Sequence, residues 1–106
     1  QTPDPPYFAV IFTAKNSGRE SEAYAIMADR MFELARAQPG FLGVETVHDA
    51  EGQGITVSYW ESLEAIKAWK GQDEHLIAQK NGRERWYDAF QLRISRVEQA
   101  YGMGEA

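Results

Sequence analysis

Cysteine is absent from this 106-residue chain, so disulfides, thiolate catalysis, cysteine–zinc sites and iron–sulfur clusters are all excluded. The absence is compatible with a reducing compartment, and a cytoplasmic location is expected. Histidine is nearly absent as well, occurring only as His48 and His75. Their spacing is not that of a metal-ligand pair, and zinc would need more ligands, so no metal site is expected. Positive charge is also scarce, with 11 Lys and Arg against 16 Asp and Glu, a net charge of −5 and a pI near 5.0. A nucleic-acid footprint needs clustered basic residues. The one candidate cluster, Arg83, Arg85, Arg93 and Arg96, is interrupted by Glu84, Asp88 and Glu98 and reads as a solvated, internally paired surface. No apolar run approaches the length of a membrane span. A glycine-rich phosphate loop is missing too, since Gly52-Gln53-Gly54 lacks the rest of that pattern. Residues 1–6 have neither a basic start nor an apolar stretch, so they do not read as a signal peptide. Their three prolines predict an extended lead-in.

What is present suits one folded domain. Hydrophobic residues make up 43% and charged residues 25% of the chain, both ordinary for a globular protein. The length allows one domain and not two, and residues 7–102 are assigned to it, leaving 103–106 as a tail. So small a domain leaves much surface open, which a second copy could cover.

Tyr7 to Ala14 reads as a strand in which Phe8, Val10 and Phe12 face one way and Tyr7, Ala9 and Ile11 the other. Apolar residues on both faces predict a strand covered on both sides. After the break at Asn16-Ser17-Gly18, Ser17 stands three residues before Glu20, a capping-box spacing. A helix to about Ala37 follows, with Tyr24, Met27, Ala28, Met31, Leu34 and Ala35 as its buried stripe, stopped by Pro39-Gly40. Phe41 to His48 and Ile55 to Trp60 form a hairpin around a polar, glycine-containing loop. Ser62 is suited to cap a second helix carrying Ala65, Ile66 and Trp69, which ends at Gly71. Asp73 is suited to cap a further helical stretch, Glu74 to about Asn81, closed by Gly82. Phe90 to Tyr101 reads as a long last strand in which Phe90, Leu92 and Ile94 share a face, while Val97 and Tyr101 fall on the opposite phase. That shift predicts a β-bulge or a change of partner. The order is βαββαβ: an α+β, ferredoxin-like antiparallel sheet with its helices on one face. The strands that are apolar on both faces leave the open face in need of cover, and a homodimer supplies it.

Aromatic residues concentrate in the second half. Tyr59, Trp60, Trp69, Trp86 and Tyr87 lie there, with His75 and Arg83 among them. Each ring taken singly is expected to fill core or interface. As a group, Tyr59, Trp69, Arg83, Trp86 and Tyr87 are candidates for a pocket between sheet and helices that would take an apolar ligand. His75 is the candidate catalytic residue, the one ionisable side chain there suited to proton transfer near neutral pH. Its alternative is a solvent-facing histidine at a helix start. His48, at a strand end beside Asp49, reads as a surface residue.

Tyr59-Trp60-Glu61-Ser62, then Ala65-Ile66-Lys67-Ala68-Trp69, then Glu74-His75 and Ala78-Gln79, resemble the antibiotic-biosynthesis monooxygenase pattern. Pro39-Gly40-Phe41, Trp86-Tyr87, Arg93-Ile94, Arg96-Val97-Glu98 and Tyr101 are similar to it as well. The resemblance covers Tyr7 to Gly102. It implies a dimeric α/β barrel in which the open face of each sheet is pressed on its partner's. In some members an electron-rich phenol or quinol anion reduces O2 itself, without metal or flavin, while the protein supplies a dry pocket and proton acceptors. For this chain the resemblance implies no cofactor, a small aromatic substrate, and Tyr59, Trp69 and His75 at the pocket. A non-catalytic ligand-binding or stress-response module is the alternative. A haem-degrading branch carries an asparagine on strand one, a tryptophan on the second helix and a histidine ligand beyond it. Trp69 matches that tryptophan, but the histidine position falls near Gln79, not His75, and Phe8 to Phe12 contain no asparagine.

Overall fold

The computed structural model describes residues 3–19 and 21–104. Eight segments follow one another: β1 (Tyr7–Asn16), α1 (Ser21–Arg36), β2 (Phe41–His48), β3 (Gln53–Trp60), α2 (Leu63–Lys70), α3 (Asp73–Asn81), a π-helical turn (Gly82–Trp86) and β4 (Tyr87–Val97). The strands form one antiparallel sheet in the order β2-β3-β1-β4. The split-βαβ plan expected from the sequence is therefore the fold.

The alternation along β1 sets the two faces. Val10, Phe12 and Ala14 look toward the helices, where they line a cavity with Met27 and Met31 of α1. Tyr7 lies on the other face, edge-on to Tyr59 of β3 with ring centroids 5.9 Å apart. Ala9, Ile11 and Thr13 share that face by the period of two. In α1 the predicted stripe is the less exposed side: Ala35 is buried, and Tyr24, Met27, Ala28, Met31 and Leu34 are half-buried, together with Phe32.

Local chemistry explains the element ends. Gly40 stops the chain after α1 with φ +85°, a conformation that costs a side chain with a Cβ. In the β2–β3 loop the Asp49 carboxylate accepts from the N–H groups of Glu51 and Gln53, both at 2.9 Å. These bonds hold it below the usual carboxylate range. The Ser62 hydroxyl accepts from the N–H of Ala65 at 3.1 Å, capping α2 as expected.

Four details differ from the sequence-based expectation. Helix α1 begins at Ser21, and Ser17 caps no helix. Its hydroxyl donates to the Arg85 carbonyl at 2.7 Å and accepts from the N–H of Arg19 at 3.1 Å. Glu20, the other half of the expected capping box, lies outside the described residues. The cap of α3 is Gln72, whose side-chain oxygen accepts from the N–H of His75 at 2.8 Å, so Asp73 is already in the helix. Gly82 closes α3 as expected, but with right-handed helical angles, so the chain runs on into the π-helical turn instead of leaving the helix. Strand β4 starts earlier and ends earlier than expected. Val97 pairs with Tyr7 in unbroken register, and the irregularity falls at the other end, where Lys15 meets Ala89 and Asn16 meets Tyr87. Beyond Val97 the neighbouring chain offers Pro6, which has no N–H to continue the ladder. Tyr101 therefore lies outside the sheet, 98% exposed.

Candidate functional site

The helices stand off the sheet and leave a cavity of about 540 Å3 between them. Its floor is the helix-facing side of all four strands, and its walls are α1, α2, α3 and the π-helical turn. Two aromatic groups border it. Toward β3, Trp60 is fully buried, edge-on to Phe41 at 5.4 Å and stacked on Trp69 at 6.1 Å. Toward β4, Tyr87 meets Phe12, Tyr24 and Phe90 with centroids 5.3, 5.8 and 6.3 Å away, and Trp86 lies edge-on to Tyr24 at 5.6 Å.

His75 occupies the first turn of α3, so its ring reaches back over the end of α2. The imidazole stacks on Trp69, with centroids 4.0 Å apart and planes 16° from parallel. Its Nδ1 lies 2.8 Å from the Trp69 carbonyl oxygen. A carbonyl only accepts, so this bond assigns the proton to Nδ1 and leaves a lone pair on Nε2. Among the described residues no group bonds to that Nε2. Burial lowers the pKa of His75 below the ordinary histidine value; the Trp69 carbonyl opposes this and nearby Lys70 adds to it. At neutral pH the ring is an uncharged base. A cation formed on it would lie against the Trp69 face, within cation–π distance.

Tyr87 opens β4 directly after the π-helical turn. Its hydroxyl donates to the Tyr24 hydroxyl at 3.3 Å. Burial, then the bond to Tyr24, raises its pKa far above the usual phenol value, so it is a neutral donor. The ring is packed so closely on Gly82 that a Cβ there would lie 2.8 Å from the ring edge. Trp86 is 4% exposed and its Nε1–H is buried without a partner among the described residues. The turn is tied down by Ser17, whose N–H donates to the Trp86 carbonyl at 2.7 Å. The floor also carries hydroxyls. Thr46 and Thr56 bond across the hairpin at 2.8 Å, and Ser58 accepts from Trp60 Nε1–H at 2.9 Å.

Of the candidate residues, Trp69, His75, Arg83, Trp86 and Tyr87 line this one cavity. Tyr59 does not, and its expected place in the pocket is corrected. It neighbours Trp60 on one strand, and adjacent strand residues point to opposite faces. Its hydroxyl donates to Glu45 at 3.2 Å on the far side of the sheet, and burial followed by the Glu45 charge raises its pKa. His48, read as a surface residue, is exposed but also lines the cavity, its ring so close to Gly54 that a Cβ there would lie 2.6 Å from Cδ2. Sequence parity could have found it, since it shares a face with Val44 and Thr46. Gln79, near which the resemblance places the histidine of the haem-degrading branch, donates to the Lys70 carbonyl at 2.9 Å. Among the described residues no three His, Asp or Glu side chains come together as a metal site, and no helix is long and apolar enough to cross a membrane.

Comparison with known proteins agrees with this architecture. The family model for antibiotic biosynthesis monooxygenases matches residues 6–81. An uncharacterised Bacillus subtilis protein, YqjZ, is 48% identical over 98 residues, which are 92% of this chain and 85% of that protein. Among solved structures, SnoaB from Streptomyces nogalater, described as a cofactor-independent oxygenase, superposes with a TM-score of 0.77 at 13% identity. The match covers 91% of this chain and 97% of SnoaB. Rv0793 from Mycobacterium tuberculosis superposes with a TM-score of 0.72 at 18% identity, covering 94% and 98% of the two chains.

Proposed function

Since the chain belongs to the antibiotic biosynthesis monooxygenase family, we propose that it oxidises a small phenol or quinol with O2 in the cavity between sheet and helices, using no metal, flavin or haem. The observation that carries this is the state of His75: neutral, its Nδ1–H committed to the Trp69 carbonyl, its Nε2 lone pair unengaged at an apolar cavity.

The chemistry for a phenol with an unsubstituted para carbon runs as follows. Nε2 of His75 takes the phenolic proton. The phenolate is electron-rich and gives one electron to O2, and the radical pair joins to form a C–O bond at the para carbon. His75 returns its proton to the peroxide. Loss of the ring C–H proton then breaks the O–O bond and releases water, leaving a quinone. Phenol plus O2 becomes quinone plus water, with one atom of the O2 in each product. The protein contributes a base of suitable pKa, the Trp69 face against the imidazolium and exclusion of water. Trp69, Trp86 and Tyr87 would hold the rings, and Arg83 at the mouth would favour the anion.

Tyr59 has a different part in this proposal. On the same side of the sheet as Ile11, Val47, Ile55 and Val57, it borders an open face where Val47 is 67% and Ile55 44% exposed, while Tyr7 and Ala9 beside it are already buried. Apolar area of that kind favours burial against a second copy, so the protein acts as a homodimer with Tyr59 at the interface.

The test is O2 uptake measured with a panel of naphthols, anthrones and benzoquinols. Protein-dependent uptake with quinone formation supports the proposal. Ligand binding without uptake across the panel would make the cavity that of a non-catalytic binding or stress-response module.

A further inference from the structure

We propose that Ser58 donates its hydroxyl proton to an acceptor oxygen of the ligand, making the cavity selective for phenols that also carry a carbonyl group; this rests on the cavity being the ligand site.

A serine hydroxyl has one proton to give and two lone pairs to offer, whereas an indole N–H can only donate. The 2.9 Å bond from Trp60 Nε1 to Ser58 Oγ therefore fixes Ser58 as the acceptor. Its own proton must point elsewhere. No acceptor for that proton occurs among the described residues. The strand neighbours of Ser58 are Val10 and Val44, and neither side chain can accept. Ser58 is half-buried and lines the cavity floor. Trp60 is fully buried and held by Phe41 and Trp69, so it positions the hydroxyl rigidly.

A donor fixed in this floor, between Val10 and Val44, is served by water when the cavity is empty. A ligand that displaces the water and supplies an oxygen keeps the hydrogen bond, and one that places a methylene there loses it. The two polar groups are thus complementary. His75 takes a proton and selects a hydroxyl, while Ser58 gives one and selects a carbonyl. The ligand class that satisfies both is a hydroxyaryl ketone or hydroxyquinone.

The test compares two probes with one skeleton, 6-hydroxy-1-tetralone and its ketone-free analogue 5,6,7,8-tetrahydro-2-naphthol, by quenching of tryptophan fluorescence under anaerobic conditions. The parent protein is expected to bind the ketone more tightly by roughly fivefold, the scale of one neutral hydrogen bond. Ser58→Ala should bring the ratio to about one, and Ser58→Thr should retain it. The ratio is insensitive to general loosening, which weakens both probes alike. A purely structural role for Ser58, as acceptor for Trp60, is separated by the Trp60→Phe background. There such a role predicts that Ser58→Ala leaves the ratio unchanged, and ligand donation predicts that the ratio still collapses. Equal affinity for both probes in the parent, a ratio that survives Ser58→Ala, or no binding of either probe overturns the proposal. Because no turnover is measured, absence of O2 uptake would refute the oxygenase function without touching this result.

Discussion

His75 and Trp69 are joined twice. Their rings stack at 4.0 Å, and the Nδ1 of His75 meets the Trp69 backbone carbonyl at 2.8 Å. The first contact orients the imidazole plane and the second selects its tautomer. Together they leave Nε2 as the one nitrogen able to accept a proton.

Replacing His75 by Gln should lower turnover about a hundredfold, the scale of a lost general base, while the fold persists. In the parent, kcat/KM should rise with pH through a histidine pKa below the ordinary 6.5, and the variant should lose that limb. The same depressed pKa fixes the sign of the stability effect. Below 6.5 the unfolded chain binds a proton that the folded ring resists, so stability present at neutral pH declines as pH falls from there toward the folded value. Denaturation midpoints measured between pH 7 and 5 should fall more steeply for the parent than for His75→Gln.

Ser62→Ala removes the one side-chain acceptor that caps α2. The N–H of Ala65 loses its 3.1 Å partner, and urea denaturation should show a loss of about 1 kcal/mol. A change near zero would show that water replaces the cap without cost.

Gly40→Ala meets two obstacles at once. The residue has φ +85°, and an added Cβ would lie 2.6 Å from the Cβ of Ala65. Left-handed strain and overpacking together should destabilise the protein by about 3 kcal/mol. Gly18→Ala shares the positive φ but meets no atom within 4 Å, so it should cost clearly less. Equal losses in the two variants would show that the Ala65 contact relaxes freely.

Val57→Asp places a charge on the open sheet face, beside Ile11 of β1. Sedimentation equilibrium at micromolar concentration should give a dimer for the parent and a monomer for the variant, with the circular dichroism of the two alike. A monomeric parent would remove the proposed interface and the part assigned to Tyr59.

Much of the architecture was legible in the residues because it depends on short-range patterns. The three- and four-residue steps of α1, the two-sided alternation of Tyr7 to Phe12 and the Ser62 cap are all local, and each is present in the fold. The position of Tyr59 was legible too, through a rule applied one residue away: once Trp60 belongs to the core, its strand neighbour points outward. The end of β4 was harder. Val97 and Tyr101 look like a continuing strand until it is known that Tyr7, preceded by Pro6, is the last residue that can pair with them.

The sequence by itself determined the βαββαβ order, the helix-facing and outward residues of β1, and the grouping of Trp69, His75, Arg83, Trp86 and Tyr87 as candidates, since periodicity and composition are properties of the chain alone. Only the tertiary structure decided which nitrogen of His75 is unengaged, that Ser58 has a proton to give, and that a cavity of about 540 Å3 lies between the sheet and the helices. Those outcomes depend on side-chain rotamers along β3, on the turn that brings His75 back over Trp69, and on the spacing between elements far apart in sequence. No local pattern encodes the direction of a proton or the gap a sheet leaves beneath its helices.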